Sequence, residues 1–254
     1  MPSLFPTRDA RLPQTQSLLI CGPFHPSAPI HYVLSAISED KRDRDALFIT
    51  SSRERMATAM KEYRDSWIEE NGTHGRVGMD AARVRMFFPP TPTHFSLLNA
   101  CLEIAKPSPG ERKLQGKTTL DSPPLVVVLH ELSAYFMNAD PQTNTVSAFL
   151  ALVTSAMSAI AQMAPDDTIP VVLFDSHLDA LKTPITKPAA FGGESTTTYL
   201  DAVPLIEKFF HARAIVRQEG CNFYIRVVEN QAPSAEYVWQ EHRDERGRVS
   251  FGWP

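Results

Sequence analysis

Three short apolar runs end in residues that could do chemistry. Residues 17–21 (SLLIC) lead into Gly22-Pro23-Phe24-His25-Pro26-Ser27-Ala28-Pro29. Residues 125–129 (LVVVL) lead into His130-Glu131-Leu132-Ser133, and residues 171–174 (VVLF) into Asp175-Ser176-His177. The first junction has the length and setting of a phosphate loop, G-x-x-x-x-G-K-[ST], whose backbone N–H groups cradle phosphates while its Lys and hydroxyl hold phosphate and Mg²⁺. Those groups are missing. Ser27 stands at the second Gly, Ala28 at the Lys and Pro29 at the hydroxyl, and Pro23 and Pro26 delete two N–H donors. His130 stands where a carboxylate would hold Mg²⁺ through water, and a neutral imidazole is a poor partner for a hard ion. No nucleotide cofactor and no ATPase activity are expected. The same residues also read as a plain strand-to-helix turn, with Ser27 as N-cap and Pro29 in the first helical turn.

Other constellations are weaker. Gly116-Lys117-Thr118 imitates the tail of a phosphate loop, but Glu111 holds the first Gly position, no strand precedes it, and Pro123-Pro124 follows. His25, His130, Asp175 and His177 all follow strands, yet none has the short spacing of a metal site, so no metal is expected. Glu131 reads either as a ligand or base or as a solvated loop carboxylate. No G-x-S-x-G elbow supports a nucleophilic serine. Residues 178–198 read as a long flexible loop carrying Lys182, Lys187, Phe191 and Gly192-Gly193. Two phosphate-seeking cations and a stacking ring fit single-stranded nucleic acid, while Asp179 and Glu194 offset the charge and leave an ordinary connector as the alternative.

The elements that must position these residues follow from hydrophobic periodicity. Short apolar runs at residues 17–21, 46–50, 83–88, 125–129 and 171–174 alternate with helical patterns. Ile30, Val33, Leu34 and Ile37 make one apolar stripe, and Met56, Met60, Tyr63 and Trp67 another, predicted to run unbroken to Asn71-Gly72. Residues 143–164 predict a long helix apolar nearly all round, and residues 200–211 a further helix. Residues 212–254 predict an antiparallel meander. The sum is one α/β domain at residues 16–254 behind an N-terminal tail at 1–15, with ligands expected at the carboxyl ends of the strands. Cys101 reads as helix packing, and Tyr237 and Trp239 as a packed face or a partner surface.

Composition narrows the function. In 254 residues, 25 Lys and Arg against 29 Asp and Glu give a net charge of −4, which argues against wholesale polyanion binding. With 43% hydrophobic and 21% charged residues the chain is expected to fold around a large core. Only 11 glycines are present, beside 21 prolines, so glycine-rich phosphate cradles are scarce. Three scattered cysteines suggest no disulfide framework and a reducing, intracellular compartment. The N-terminus lacks the apolar run of a signal peptide, and the apolar stretch at 148–164 is broken by Thr154, Ser155, Ser158 and Gln162, so no membrane contact is expected.

The order of elements, the degenerate loop at Gly22–Pro29, and the strand with its tail LVVVLHELSAYF resemble the RecA-type recombinase core. More narrowly they are similar to recombinase paralogs and Shu-complex subunits that have lost nucleotide-binding residues. The resemblance implies a RecA-like sheet in which Gly22, Ser27, Ala28, Pro29, His130, Glu131 and Asp175 are remnants of a nucleotide site. It implies a nuclear, non-catalytic accessory subunit that pairs with another RecA-like chain in homologous recombination and contacts single-stranded DNA weakly through Lys182, Lys187 and Phe191. Residues around Leu4-Phe5, Tyr237, Trp239 and Trp253 are the expected partner surface. Two alternatives remain open: an Elongator-type RecA-like subunit acting on tRNA, and an enzyme using the strand-end His, Asp and Glu residues.

Overall fold

The computed structural model describes residues 1–6, 10–105, 116–138, 144–187, 196–229 and 232–253. In chain order the elements are β1 (Ser17–Cys21), α1 (Ala28–Glu39), β2 (Ala46–Thr50), α2 (Arg53–Glu62), α3 (Ser66–Asn71), α4 (Gly75–Ala82), β3 (Val84–Phe87), α5 (Pro92–Cys101), β4 (Glu103–Ile104), β5 (Thr119–Leu120), β6 (Val127–His130), α6 (Thr145–Met163) and β7 (Val171–Asp175). There follow β8 (Lys182–Lys187), β9 (Thr196–Asp201), α7 (Val203–Ile206), β10 (Ala212–Glu219), β11 (Asn222–Glu229), β12 (Ala232–Arg243) and β13 (Val249–Gly252).

Nine strands form one sheet in the order β13-β12-β11-β10-β1-β7-β6-β2-β3. Pairing is parallel from β3 to β10 and antiparallel from β10 to β13. This is the mixed α/β architecture the pattern predicts, a mainly parallel sheet flanked by helices and extended by a C-terminal meander. Strands buried on both faces explain the continuous apolar runs. Along β1, Leu18 and Ile20 enter a core shared with α1, Phe48, Val128 and Trp239, while Leu19 and Cys21 enter the opposite core with α6, Leu47, Leu129 and Phe95. Each fully buried Leu, Ile or Phe on these faces contributes roughly 1.5–3 kcal/mol of transfer free energy.

Several expectations are corrected. The stripe through Met56, Met60, Tyr63 and Trp67 is broken, because α2 stops at Glu62 and Asp65 caps a new helix by accepting from the Ile68 N–H at 3.0 Å. Polar side chains compete with helix continuation in this way. The long helix is α6, but only one side of it is buried; Ser147, Ala148, Ala151, Ser155, Ser158 and Gln162 face solvent. Residues 178–198 are not one loop: a short 3-10 turn at Leu178–Ala180 precedes β8, which pairs with β9 from Lys182↔Asp201 to Lys187↔Thr196. The Thr, Ile and Tyr residues of these segments favour extended structure, and β9 also takes up the start of the helix expected at 200–211. Cys101 is exposed rather than packed.

The N-terminal segment is part of the core. Leu4, Phe5, Ala10 and Leu12 are buried, and Leu12 N–H donates to the Pro2 carbonyl at 2.9 Å. The Phe5 ring centroid lies 4.9 Å from Trp239, 4.8 Å from Phe251 and 5.3 Å from Trp253. The Tyr237 hydroxyl donates to the Arg11 carbonyl at 2.9 Å. The aromatic residues expected to meet a partner therefore cover one another within the chain.

Candidate functional site

The carboxyl ends of β1, β2, β6 and β7, closed on one side by α2 and on another by the meander, surround a cavity of about 680 Å³. Its lining includes Phe24, His25, Ser51, Arg55, Tyr63, His130, Glu131, Ser176, His177, Phe223 and Glu241. This is where a sheet of this kind presents its ligand.

The loop after β1 is built for packing. Gly22 has φ +98°, and a Cβ there would lie 2.1 Å from the Val216 carbonyl oxygen, so glycine is required by the close approach of β10. Ser27 occupies the N-cap position of α1 but makes no side-chain cap. Its hydroxyl instead donates to Asp65 Oδ2 at 2.5 Å, and His31 Nε2, one turn into α1, meets the same oxygen at 2.7 Å. Ala28 and Pro29 are buried behind them. The anion at the start of α1 is thus a carboxylate of the chain itself. Burial alone would raise the Asp65 carboxyl, but the hydrogen bond and charge of His31 and the bonds from Ser27 and the Ile68 N–H outweigh it and hold the group below its ordinary range. His25 Nδ1 lies 2.7 Å from the Ser27 oxygen, its Nε2 has no hydrogen-bond partner, and burial lowers its pKa to about 4.

The second cluster joins the ends of β6 and β7. His130 is buried with Nδ1 2.9 Å from Thr50 Oγ1, and desolvation lowers its pKa. Glu131 holds a left-handed backbone, φ 52°, unusual for a side-chain-bearing residue. That conformation turns its carboxylate onto the end of β7: Oε1 accepts from the Ser176 N–H at 3.1 Å and the Ser176 hydroxyl at 2.7 Å, and Oε2 lies 3.0 Å from His177 Nδ1. Burial pushes Glu131 up, but His177, His130 and Ser176 pull it net downward, and the bond to Glu131 raises the half-exposed His177. Asp175 is fully buried and accepts from the Ser133 hydroxyl at 2.5 Å, the Ser133 N–H at 2.8 Å and the His177 N–H at 3.2 Å. Desolvation, reinforced by the charge of Glu131, raises its pKa to about 7.

The cluster lacks the geometry of a nucleophilic relay. Ser176 Oγ and Glu131 both approach the same nitrogen of His177, Nδ1, at 2.7 and 3.0 Å, whereas a relay needs the serine and the acid on opposite ring nitrogens. Of the residues singled out from sequence, Gly22, Ser27, Ala28, Pro29, His130, Glu131 and Asp175 all gather at this end of the sheet. Lys182 lies apart on β8, its Nζ donating to the Asp179 carbonyl at 3.0 Å. Lys187 ends the same strand, and Phe191 lies outside the described residues. Sequence reasoning missed Asp65, His31, Ser133 and Glu241. Only Asp65 carried a signal, as an Asp-Ser pair interrupting an apolar stripe.

No family model matches the chain, and no curated protein matches it. Among solved structures, the crystal structure of the RadB recombinase is similar at a TM-score of 0.48 and 10% sequence identity, over 91% of this chain and 88% of that one.

Proposed function

We propose that this chain is a non-catalytic RecA-like subunit of a recombination or DNA-repair assembly, acting through a partner chain and only weakly on single-stranded DNA. The observation that carries the reading is the Asp65 carboxylate at the start of α1. It meets the Ser27 hydroxyl and the His31 ring, so the helix start that would face a phosphate already faces an internal anion. An added phosphate would meet like charge and, at Pro23 and Pro26, missing N–H donors. Partner contact is supported by the outer edge of β3, which pairs with no further strand among the described residues and carries Met86, 40% exposed, and by Leu97 on α5, 60% exposed. DNA contact is supported by Lys182 and Lys187 at opposite ends of β8.

Calorimetry of the full chain with Mg-ATP is expected to give no heat of binding, and micromolar affinity would sink the reading. The chain purified from its source cell is expected to bring a second RecA-like chain with it; co-purification with a tRNA-modifying assembly instead would replace recombination by the RNA reading. In that complex, Lys182→Ala with Lys187→Ala should flatten the log–log salt dependence of single-strand binding by about 1.4, at about 0.7 per lost phosphate contact. Fluorescence anisotropy over a salt series reads this slope, and an unchanged slope would remove β8 from the interface.

A further inference from the structure

The helices α1 and α2 follow successive strands, yet they are fixed in very different ways. α1 buries Ala28, Tyr32, Val33, Ala36 and Ile37, whereas α2 buries no residue at all. From its N-cap onward, one face of α2 (Ser52, Arg55, Met56, Ala59 and Tyr63) lines the cavity at the strand ends. On its other face Glu54, Ala57, Thr58, Lys61 and Glu62 are exposed. The helix therefore stands between a void and solvent, and no other helix or strand packs closely along it. Its charged residues form no ion pair among the described residues. Arg53 Cζ lies 5.8 Å from the Phe88 ring centroid, and Arg55 Nη1 meets Met137 Sδ at 3.6 Å. A helix of 10 residues is marginal in water unless packing supports it.

The chain on either side of α2 is held firmly. Thr50 and Ser51 are buried, and the Ser51 N–H donates to the His130 carbonyl at 3.4 Å. Beyond Tyr63, the Arg64 carbonyl accepts from the Val249 N–H at 2.6 Å, and Asp65 is buried in its network with Ser27 and His31. We propose that α2 is a movable wall of the cavity, which detaches and re-forms by itself between two fixed points, Ser51 and Arg64-Asp65, while the sheet and α1 stay folded. Few apolar contacts have to break for such a local opening. The Asp65 network then has a second consequence: it stops the opening from spreading into α3 and β13. Neither a partner nor a nucleic acid enters this inference, so its failure leaves the recombination reading untouched.

Native-state amide hydrogen exchange of the full chain, followed by NMR at several urea concentrations below the unfolding transition, tests it. After correction for intrinsic rates, the amides of residues 57–62 should exchange at least about 30-fold faster than those of Val33, Ala36 and Ile37, with little dependence on urea. The Val249 amide, which reports on the Arg64 contact, should keep the protection of the sheet. A matched pair of variants then probes the void. Ala59→Leu points into the cavity and Ala57→Leu into solvent, at nearly equal change in helix propensity. Ala59→Leu should slow exchange in α2 at least about threefold relative to Ala57→Leu, because it gives the helix a buried anchor. The inference is overturned if α2 and α1 differ by less than about 30-fold, if Val249 exchanges at the rate of α2, or if the two folded variants exchange alike.

Discussion

Two carboxylate clusters stand at the same end of the sheet, one on the loop that follows β1 and the other on the ends of the neighbouring β7 and β6, and they are solved in opposite ways. Around Asp65 every contact is internal: the carboxylate is buried, takes bonds from Ser27, His31 and the Ile68 N–H, and stays ionised. Around Glu131 and Asp175 the bonds are as short, but one carboxyl is driven up to about 7 while its neighbour is held down, and the histidine between them is half-exposed on the cavity. Charge in the first cluster is committed to holding the α1 loop and α3 together, and the backbone at the same place bridges to β13, where the Val249 N–H donates to the Arg64 carbonyl. In the second, proton positions remain free to change with pH or with a ligand.

The largest effect should come from opening the closed cluster. Asp65→Ala removes the acceptor of the Ser27 hydroxyl, the His31 ring and the Ile68 N–H together, leaving buried donors unpaired. Losing one partner of a buried ionic network costs roughly 3–5 kcal/mol. Urea denaturation should show that loss, and Asp65→Asn should recover part of it by keeping one acceptor oxygen. A change below about 1 kcal/mol in Asp65→Ala would mean that the network is not what fixes the loop.

Acidity should separate the clusters next. His25 belongs to the closed one, and its pKa falls from 6.5 to about 4 on burial. The unfolded chain therefore binds the extra proton across that window, and the His25 contribution to stability rises with pH through it. Asp175 belongs to the open one, and its pKa rises from 3.8 to about 7. There the folded state holds the extra proton, so its contribution is present below about pH 4 and is lost as pH rises to about 7. Replacing Asp175 by Asn removes the falling arm. The slope of stability against pH should become more positive by up to about 1.4 kcal/mol per pH unit, the limit for one proton. Equal slopes in parent and variant would show that Asp175 titrates outside this window. Within the open cluster, Glu131→Gln should return the His177 pKa toward the ordinary histidine value and lower that of Asp175, because Glu131 raises both; NMR titration of the His177 ring reads the first shift.

The strands, the crossovers and the placement of His130, Glu131 and Asp175 were legible because apolar runs of five residues buried on both faces leave few alternatives, and ligand-end residues follow them directly. Asp65 was not legible, since its partners Ser27 and His31 lie 38 and 34 residues away in the chain and only the tertiary fold unites them. The aromatic residues at Phe5, Tyr237, Trp239 and Trp253 were legible as a cluster in kind but not in direction. An exposed apolar pair and one covered by its own N-terminal segment read alike until the segment is placed. The β8–β9 pair was hidden for a different reason: polar threonine-rich segments carry a weak alternation, and propensity there depends on context.

The smallest effect tests whether His130 belongs with the closed cluster or the open one. Its Nδ1 is 2.9 Å from the Thr50 hydroxyl, while the residue also lines the cavity. Thr50→Val keeps the shape of β2 and deletes that single hydrogen bond. If the ring were sealed as Asp65 is, the orphaned nitrogen would cost up to about 3 kcal/mol; with the cavity within reach, water can replace the hydroxyl and the loss should be near 1 kcal/mol. The expected outcome is the smaller loss, measured by urea denaturation near neutral pH, together with a His130 ring that reorients and changes its NMR shift. A loss of about 3 kcal/mol would move His130 into the closed set and shrink the part of the site that a ligand can address.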